Sequence, residues 1–178
     1  YPLQSDVADP MRTVLPYFPF SSKTDILPTF LDISKKNGVI SSDQDRTVQS
    51  LTSEENQEIL IKGNVPIPTM DYYFEATFEH SLDSTKNSIG FCTYDASGWE
   101  SNSYRLSSNG SKYYFQKGEE IEQGYCDKFG DSTIGCGWNE KKKIIYFSIN
   151  GENLGRAFEV DFHGEKIVPA VGISRDCK

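Results

Sequence analysis

Two glycines one residue apart, Gly135 and Gly137 in "DSTIGCGWNEKKKIIYFSINGENLGRAF", head the stretch of this chain that looks most like chemistry. Gly-x-Gly spacing belongs to phosphate-binding loops, where backbone N–H groups approach an anion. The dinucleotide form adds a third glycine and opens a helix. Here Trp138, Asn139 and a charged turn follow, and then a strand from Lys143 to Ile149. Asn150-Gly151 comes next, a pair that tolerates positive φ at both central positions of a tight hairpin turn. The glycines are therefore assigned to bends or to close passage beneath neighbouring side chains. Gly98, Gly130 and Gly151 take similar structural roles. The stretch builds a sheet.

The remaining reactive residue types are sparse. The two histidines, His80 and His163, fall at expected strand ends with no Cys, Asp or Glu at ligand spacing, which favours solvated or capping roles. No Gly-x-Ser-x-Gly elbow supports a hydrolase nucleophile. Glu119, Glu120 and Glu122 are the densest carboxylates and would suit glycoside hydrolysis on a sandwich, but "KGEEIEQG" reads as a polar loop between strands. Cys92, Cys126, Cys136 and Cys177 are widely and irregularly spaced, so no zinc site is expected. Cys92 and Cys136 fall inside apolar strand patterns, as buried reduced thiols do, and a reducing compartment is expected in place of a disulfide framework. Asn109-Gly110-Ser111 is a glycosylation sequon that would matter in a secreted chain. No enzyme activity, metal or cofactor is expected.

The elements that would position any site follow from composition and pattern. A chain of 178 residues supports one domain with a full core and a short extension. A net charge of −8 argues against nucleic acid, which needs a basic stripe. The one basic run, Lys141 to Lys143, reads as a solvated strand end. No apolar run approaches the ~20 residues that cross a bilayer, so no direct membrane insertion by this chain is expected. The opening "YPLQSDVADP" has neither the basic nor the apolar region of a signal peptide.

Residues 1–28 carry five of the eight prolines, which rules out regular helix or central strand there. Val14, Leu15, Tyr17, Phe18 and Phe20 suggest that this segment lies against the domain. "TFLDISKKNG", with Thr29 as N-cap and Gly38 as C′ residue, predicts one short helix. Two units are expected: an extension over residues 1–45 and a domain over 46–178. In the domain, "YYFEATFEH" alternates Tyr73, Glu75, Thr77 and Glu79 with Tyr72, Phe74, Ala76 and Phe78, a half-buried antiparallel strand. "EILIKG", "NSIGFCTY", "KYYFQKG", "DSTIGCGW", "KKIIYFSI", "NLGRAFEV" and "KIVPAVGIS" complete an all-β sandwich.

Six blocks occur in the order of a SPRY domain: "YYFEATF", "NSIGFCT", "GWESNSYRLSSNGSKYY", "GDSTIGCGWN", "IYFSINGENLGRAF" and "IVPAVGIS". The chain resembles the RanBPM-type consensus more than the TRIM-type PRY-SPRY, over about residues 60 to 175. The resemblance implies a bent sandwich of two antiparallel sheets, protein recognition through loops at one edge, no catalysis and no cofactor. "FLDISKKNGV" and "VPIP" resemble the extension of fungal membrane-anchored SPRY proteins, which serve as cargo adaptors for a HECT-type ubiquitin ligase at endosome and vacuole. Their ligase motifs and transmembrane helix lie outside the SPRY domain. By this resemblance the chain is a cytosolic domain of an endosomal or vacuolar membrane protein.

Loops carry recognition on a sandwich because their side chains are free of packing duty. The segment "YDASGWESNSY" mixes Trp99, Tyr94 and Tyr104 with small polar residues, as paratopes do. Trp99 has an equal claim to packing the loop against the sheet. Other SPRY domains bind peptides through three neighbouring loops. The matching positions are Thr52 to Asn56, Tyr94 to Tyr104, and Ser174 to Asp176. The expected partner-binding residues are Tyr94, Asp95, Trp99, Asn102, Tyr104, Glu54 and Arg175. The expected function is selection of a partner or cargo protein for ubiquitination during membrane-protein transport. The competing readings are a lectin-like carbohydrate binder, a glycosidase using Glu120, and a purely structural domain.

Overall fold

The computed structural model describes residues 31–32, 39–42, 47–50, 58–79, 87–99, 102–116 and 118–174. Every regular element among them is a β-strand, numbered here in chain order. Seven antiparallel strands form one sheet in the order β1 (Leu31–Asp32), β4 (Ile59–Gly63), β13 (Ile167–Ile173), β6 (Ser88–Thr93), β7 (Tyr104–Ser107), β8 (Ser111–Gln116) and β9 (Glu119–Gly124). Four more form the second sheet in the order β12 (Glu152–Glu159), β11 (Ile144–Ile149), β10 (Ser132–Asn139) and β5 (Tyr72–Phe78). A separate two-stranded sheet pairs β2 (Val39–Ser42) with β3 (Thr47–Ser50).

The two large sheets make the expected sandwich. Successive side chains on a strand point to opposite faces, so each strand commits half its residues to the space between the sheets. In β5 the inward set is Tyr72, Phe74, Ala76 and Phe78, as the alternation predicts. Ile89 and Phe91 of β6, Leu106 of β7, Ile134 and Cys136 of β10, and Ile145 and Phe147 of β11 meet them there, all 0% exposed. Asn150 and Gly151 have φ of 49° and 83° and close the β11–β12 hairpin, as Asn-Gly predicts.

Two expectations give way to strands. At Leu31 and Asp32 the predicted helix is replaced by pairing with Gly63 and Lys62. Helix propensity is a weak prior, and an open strand edge satisfies backbone donors and acceptors equally well. The other residues of 29–38, and all of 1–30, lie outside the described residues. "KGEEIEQG" is not a loop: Glu119 to Gly124 pairs along β8 after a turn at Gly118, φ 83°. Its carboxylates mark an edge strand, where charge discourages further pairing.

Candidate functional site

Strand β6 ends at Thr93, opposite Ile167 at the start of β13, so the loop after β6 lies beside the turn before β13. The Tyr94 N–H donates to the Lys166 carbonyl at 2.8 Å, and Ala96 N–H to the Thr93 carbonyl at 3.1 Å. Lys62 of β4 donates from Nζ to the carbonyls of Tyr94 and Ala96, each at 2.6 Å. Its ammonium also sits 5.9 Å from the Tyr94 ring centroid. Asn102, with φ 49°, donates through Nδ2 to both carboxylate oxygens of Glu165 at 3.0 and 3.1 Å.

These contacts shape an open cleft of about 460 Å³ lined by Thr93, Tyr94, Asp95, Asn102, Glu165 and Lys166. Tyr94 is 50% exposed, one of the two large hydrophobic residues so far out among those described. Two carboxylates, Asp95 and Glu165, line it with one ammonium, Lys166, while the Lys62 ammonium is taken up by the loop carbonyls. The cleft therefore pairs an aromatic surface with an acidic wall. Such a wall takes a cationic side chain through charge-assisted hydrogen bonds, and the ring adds a cation–π contact.

Three of the expected contact residues, Tyr94, Asp95 and Asn102, meet in this cleft. Two others turn away from it. Trp99 is 8% exposed and packs with Leu60, Cys92, Val168 and Ala170 on the outer face of the seven-stranded sheet. The Arg105 guanidinium lies 5.2 Å over its ring and 4.7 Å over that of Tyr113, and Arg105 Nη1 reaches Glu120 Oε1 at 2.8 Å. Ser103 Oγ donates to the Trp99 carbonyl. Trp99 thus pins the loop, with its ring packed against the sheet. Tyr104 faces inward, edge-on to Phe158 at 5.3 Å and Phe162 at 6.1 Å. Burial, then the Glu165 carboxylate, pushes its phenol pKa up. Glu54 and Arg175 lie outside the described residues.

Lys62, Glu165 and Lys166 are the residues that sequence reasoning misses. Glu165 is 63 residues from Asn102, and only the pairing of β13 with β6 brings them together. No local pattern marks them. Glu120 and Glu122, the carboxylates with a paper claim to catalysis, are engaged by Arg105 and by the Tyr113 hydroxyl at 2.7 Å.

Behind Trp99 sits an acid group with a consequence for stability. Glu58 is half-buried overall, but its carboxyl group lies over Gly172 and accepts from Ser88 Oγ. The Trp99 indole N–H faces it without a hydrogen bond of normal geometry. Burial raises the Glu58 pKa above the ordinary carboxylate range, against the opposing pull of Ser88 and Arg105. A raised folded-state pKa contributes stability below the unfolded value and loses it as pH rises through the folded value. Glu58→Gln, which keeps an acceptor for Ser88, is therefore expected to gain on wild type between about pH 4 and pH 7. Urea titrations of both proteins at the two pH values measure this. An unchanged difference between them would sink the assignment.

The SPRY family model matches residues 71–178, more than half of the chain. The chain belongs to the SPRY domain family. SPRY domains are protein-interaction modules and generally non-catalytic. Solved SPRY structures have the same fold at low identity. The PSpry domain of TRIM65 superposes with TM-score 0.61 at 13% identity, covering 84% of this chain and 86% of its own. The SPRY domain of human HERC1 gives TM-score 0.64 at 14% identity, covering 82% of this chain and 91% of its own. Sequence comparison with curated proteins finds no match. The SPRY cleft described above sits at the end of the seven-stranded sheet where β6 and β13 pair.

Proposed function

We propose that this SPRY domain recognises a partner or cargo protein through the Tyr94–Glu165 cleft. It would act as a substrate or cargo adaptor for a ubiquitin ligase in membrane-protein sorting, on the cytosolic side of endosomal or vacuolar membranes. The observation that carries the recognition step is the convergence of exposed Tyr94 with Asp95, Asn102 and Glu165 in one open cleft. The chemistry fits a peptide segment presenting a Lys or Arg side chain. The adaptor role draws on the similarity of "FLDISKKNGV" and "VPIP" to the extension of fungal membrane-anchored SPRY adaptors.

A crosslinking pulldown from cell lysate tests the reading, with wild type run beside Tyr94→Ala/Asp95→Asn. Both substituted residues are exposed, so thermal unfolding should stay at the wild-type midpoint. Wild type is expected to enrich membrane transporters or ligase components. The variant should lose them by about thirtyfold, the size of a 2 kcal/mol hot spot. Equal enrichment by both proteins would remove the cleft from the interface. Binding to glycans that Tyr94→Ala abolishes would instead support the lectin-like alternative.

A further inference from the structure

Three Asn-Gly pairs stand in this chain: Asn37-Gly38, Asn109-Gly110 and Asn150-Gly151. The first lies outside the described residues. Asparagine is a thermolabile residue, and a following glycine puts no Cβ in the way of attack by its own backbone nitrogen on the side-chain amide. The glycine nitrogen gives up its proton and bonds to the asparagine Cγ. The Cγ–Nδ2 bond breaks, ammonia leaves, and a five-membered succinimide closes. Water then opens the ring at either carbonyl, to aspartate or to isoaspartate. Water is the only co-reactant, so the freedom of the nitrogen to reach Cγ governs the rate.

At Asn109 every participating atom is tied down. The nucleophile, the Gly110 N–H, donates to the Ser107 carbonyl at 2.9 Å. The leaving nitrogen, Asn109 Nδ2, donates to the Tyr113 hydroxyl at 2.7 Å and to Glu122 Oε1 at 3.3 Å. Gly110 is buried, and its carbonyl accepts from the N–H groups of Tyr125 and Cys126, each at 3.0 Å. A Cβ on it would lie 2.2 Å from the Cys126 carbonyl oxygen. Swinging the Gly110 nitrogen toward Cγ would break these contacts together.

At Asn150 the same atoms are loose. Asn150, Gly151 and Glu152 are all exposed at the tip of the β11–β12 hairpin. Beyond its chain neighbours, nothing lies within 4 Å of where a Gly151 Cβ would stand. No hydrogen bond among the described residues holds the Gly151 N–H or Asn150 Nδ2. Asn150 is held through other atoms: its N–H donates to the Thr133 carbonyl at 2.7 Å, and its Oδ1 accepts from the Thr133 N–H at 3.0 Å. Charge gathers on Oδ1 during attack, and a backbone N–H aimed at it stabilises that charge. Asn109 Oδ1 has such a donor too, the Ser111 N–H at 2.9 Å, so the two sites differ in nucleophile and leaving group. The Asn150 turn must still open for the nitrogen to reach Cγ, and an exposed hairpin tip opens at far smaller cost than a turn clamped between strands.

We infer that Asn150 is the site at which this folded domain converts to aspartate and isoaspartate, while Asn109 is shielded. Either product adds one negative charge, and isoaspartate also reroutes the backbone of a tight turn through Cβ and Cγ. Neither residue lines the cleft. The full chain is incubated at mildly alkaline pH, and peptide mapping follows both residues, with Asn153, which precedes Leu154, as the reference. Folded protein should modify Asn150 at least about tenfold faster than Asn109. An equal or greater rate at Asn109 would overturn the proposal, and so would an Asn150 rate no higher than that of Asn153. Repeating the incubation in urea separates structure from flanking sequence. Unfolded, the two Asn-Gly sites should react within about threefold of each other. A gap of about tenfold that survives unfolding would move the cause to the flanking residues and overturn the shielding.

Discussion

Phe91→Ala is expected to lower the free energy of unfolding by about 3–5 kcal/mol, with the midpoint of a urea titration falling accordingly. Phe91 is 0% exposed at the centre of β6, and its ring meets Phe74 at 5.6 Å and Tyr72 at 6.3 Å, both edge-on. Those two rings belong to β5, in the opposite sheet, so Phe91 is a contact by which the sandwich holds together. Truncation removes the transfer free energy of the ring and the edge-to-face attraction. It also leaves a cavity between rigid backbones that cannot collapse to fill it. A domain of this kind is stable by about 5–15 kcal/mol in all. The loss is therefore a large share, with folding retained at low temperature. A cost below about 1 kcal/mol would show that the two sheets are held elsewhere.

Trp99→Ala is expected to cost a similar about 3–5 kcal/mol and, through that loss, to weaken partner binding without the ring touching the partner. The ring fills the cluster of Leu60, Cys92, Val168 and Ala170 and carries the Arg105 guanidinium on its face. Without it Arg105 keeps Tyr113 and Glu120 but loses half of its stacking, and the loop bearing Tyr94 loses its anchor. Trp99→Phe should restore most of the stability and all of the binding, because the aromatic plug remains. Urea titration and partner affinity measured on the same three proteins check this. Full stability of Trp99→Ala with lost binding would return Trp99 to the contact surface. Tyr94→Ala is expected to behave in the opposite way, losing binding at wild-type stability.

The contrast between Trp99 and Tyr94 shows how far local sequence carries. Both lie in one loop, five positions apart, and composition alone treats them as equal aromatic anchors. One is buried and the other is half exposed because the loop folds back over β4, β6 and β13, strands drawn from three distant parts of the chain. Lys62, which holds the loop carbonyls, comes from 32 and 34 residues upstream. A side chain's direction in a loop depends on what the loop lies against, and nothing within the loop encodes that.

Where the physics is local, the residues suffice. The two-residue period of β5 sorts its side chains correctly because a strand's own geometry sends neighbours to opposite faces. Asn150-Gly151 closes its hairpin because those two residues accept positive φ at little cost. Gly135 and Gly137 stand under Tyr73 and Tyr146, as the close-passage reading expects. The order of the six sequence blocks is legible as a SPRY sandwich by resemblance. Strand pairing is not local. Leu31 and Asp32 are drawn into strand by the open edge of β4, against their own helical pattern. Glu119 to Gly124 becomes strand because β8 offers it six partners. Glu165 joins Asn102 because β13 returns beside β6. By itself the sequence determined the central strands of the two large sheets, the Asn-Gly turn and the family. Tertiary structure decided which side chains line the cleft, because register across a sheet is set by the burial of all its strands at once.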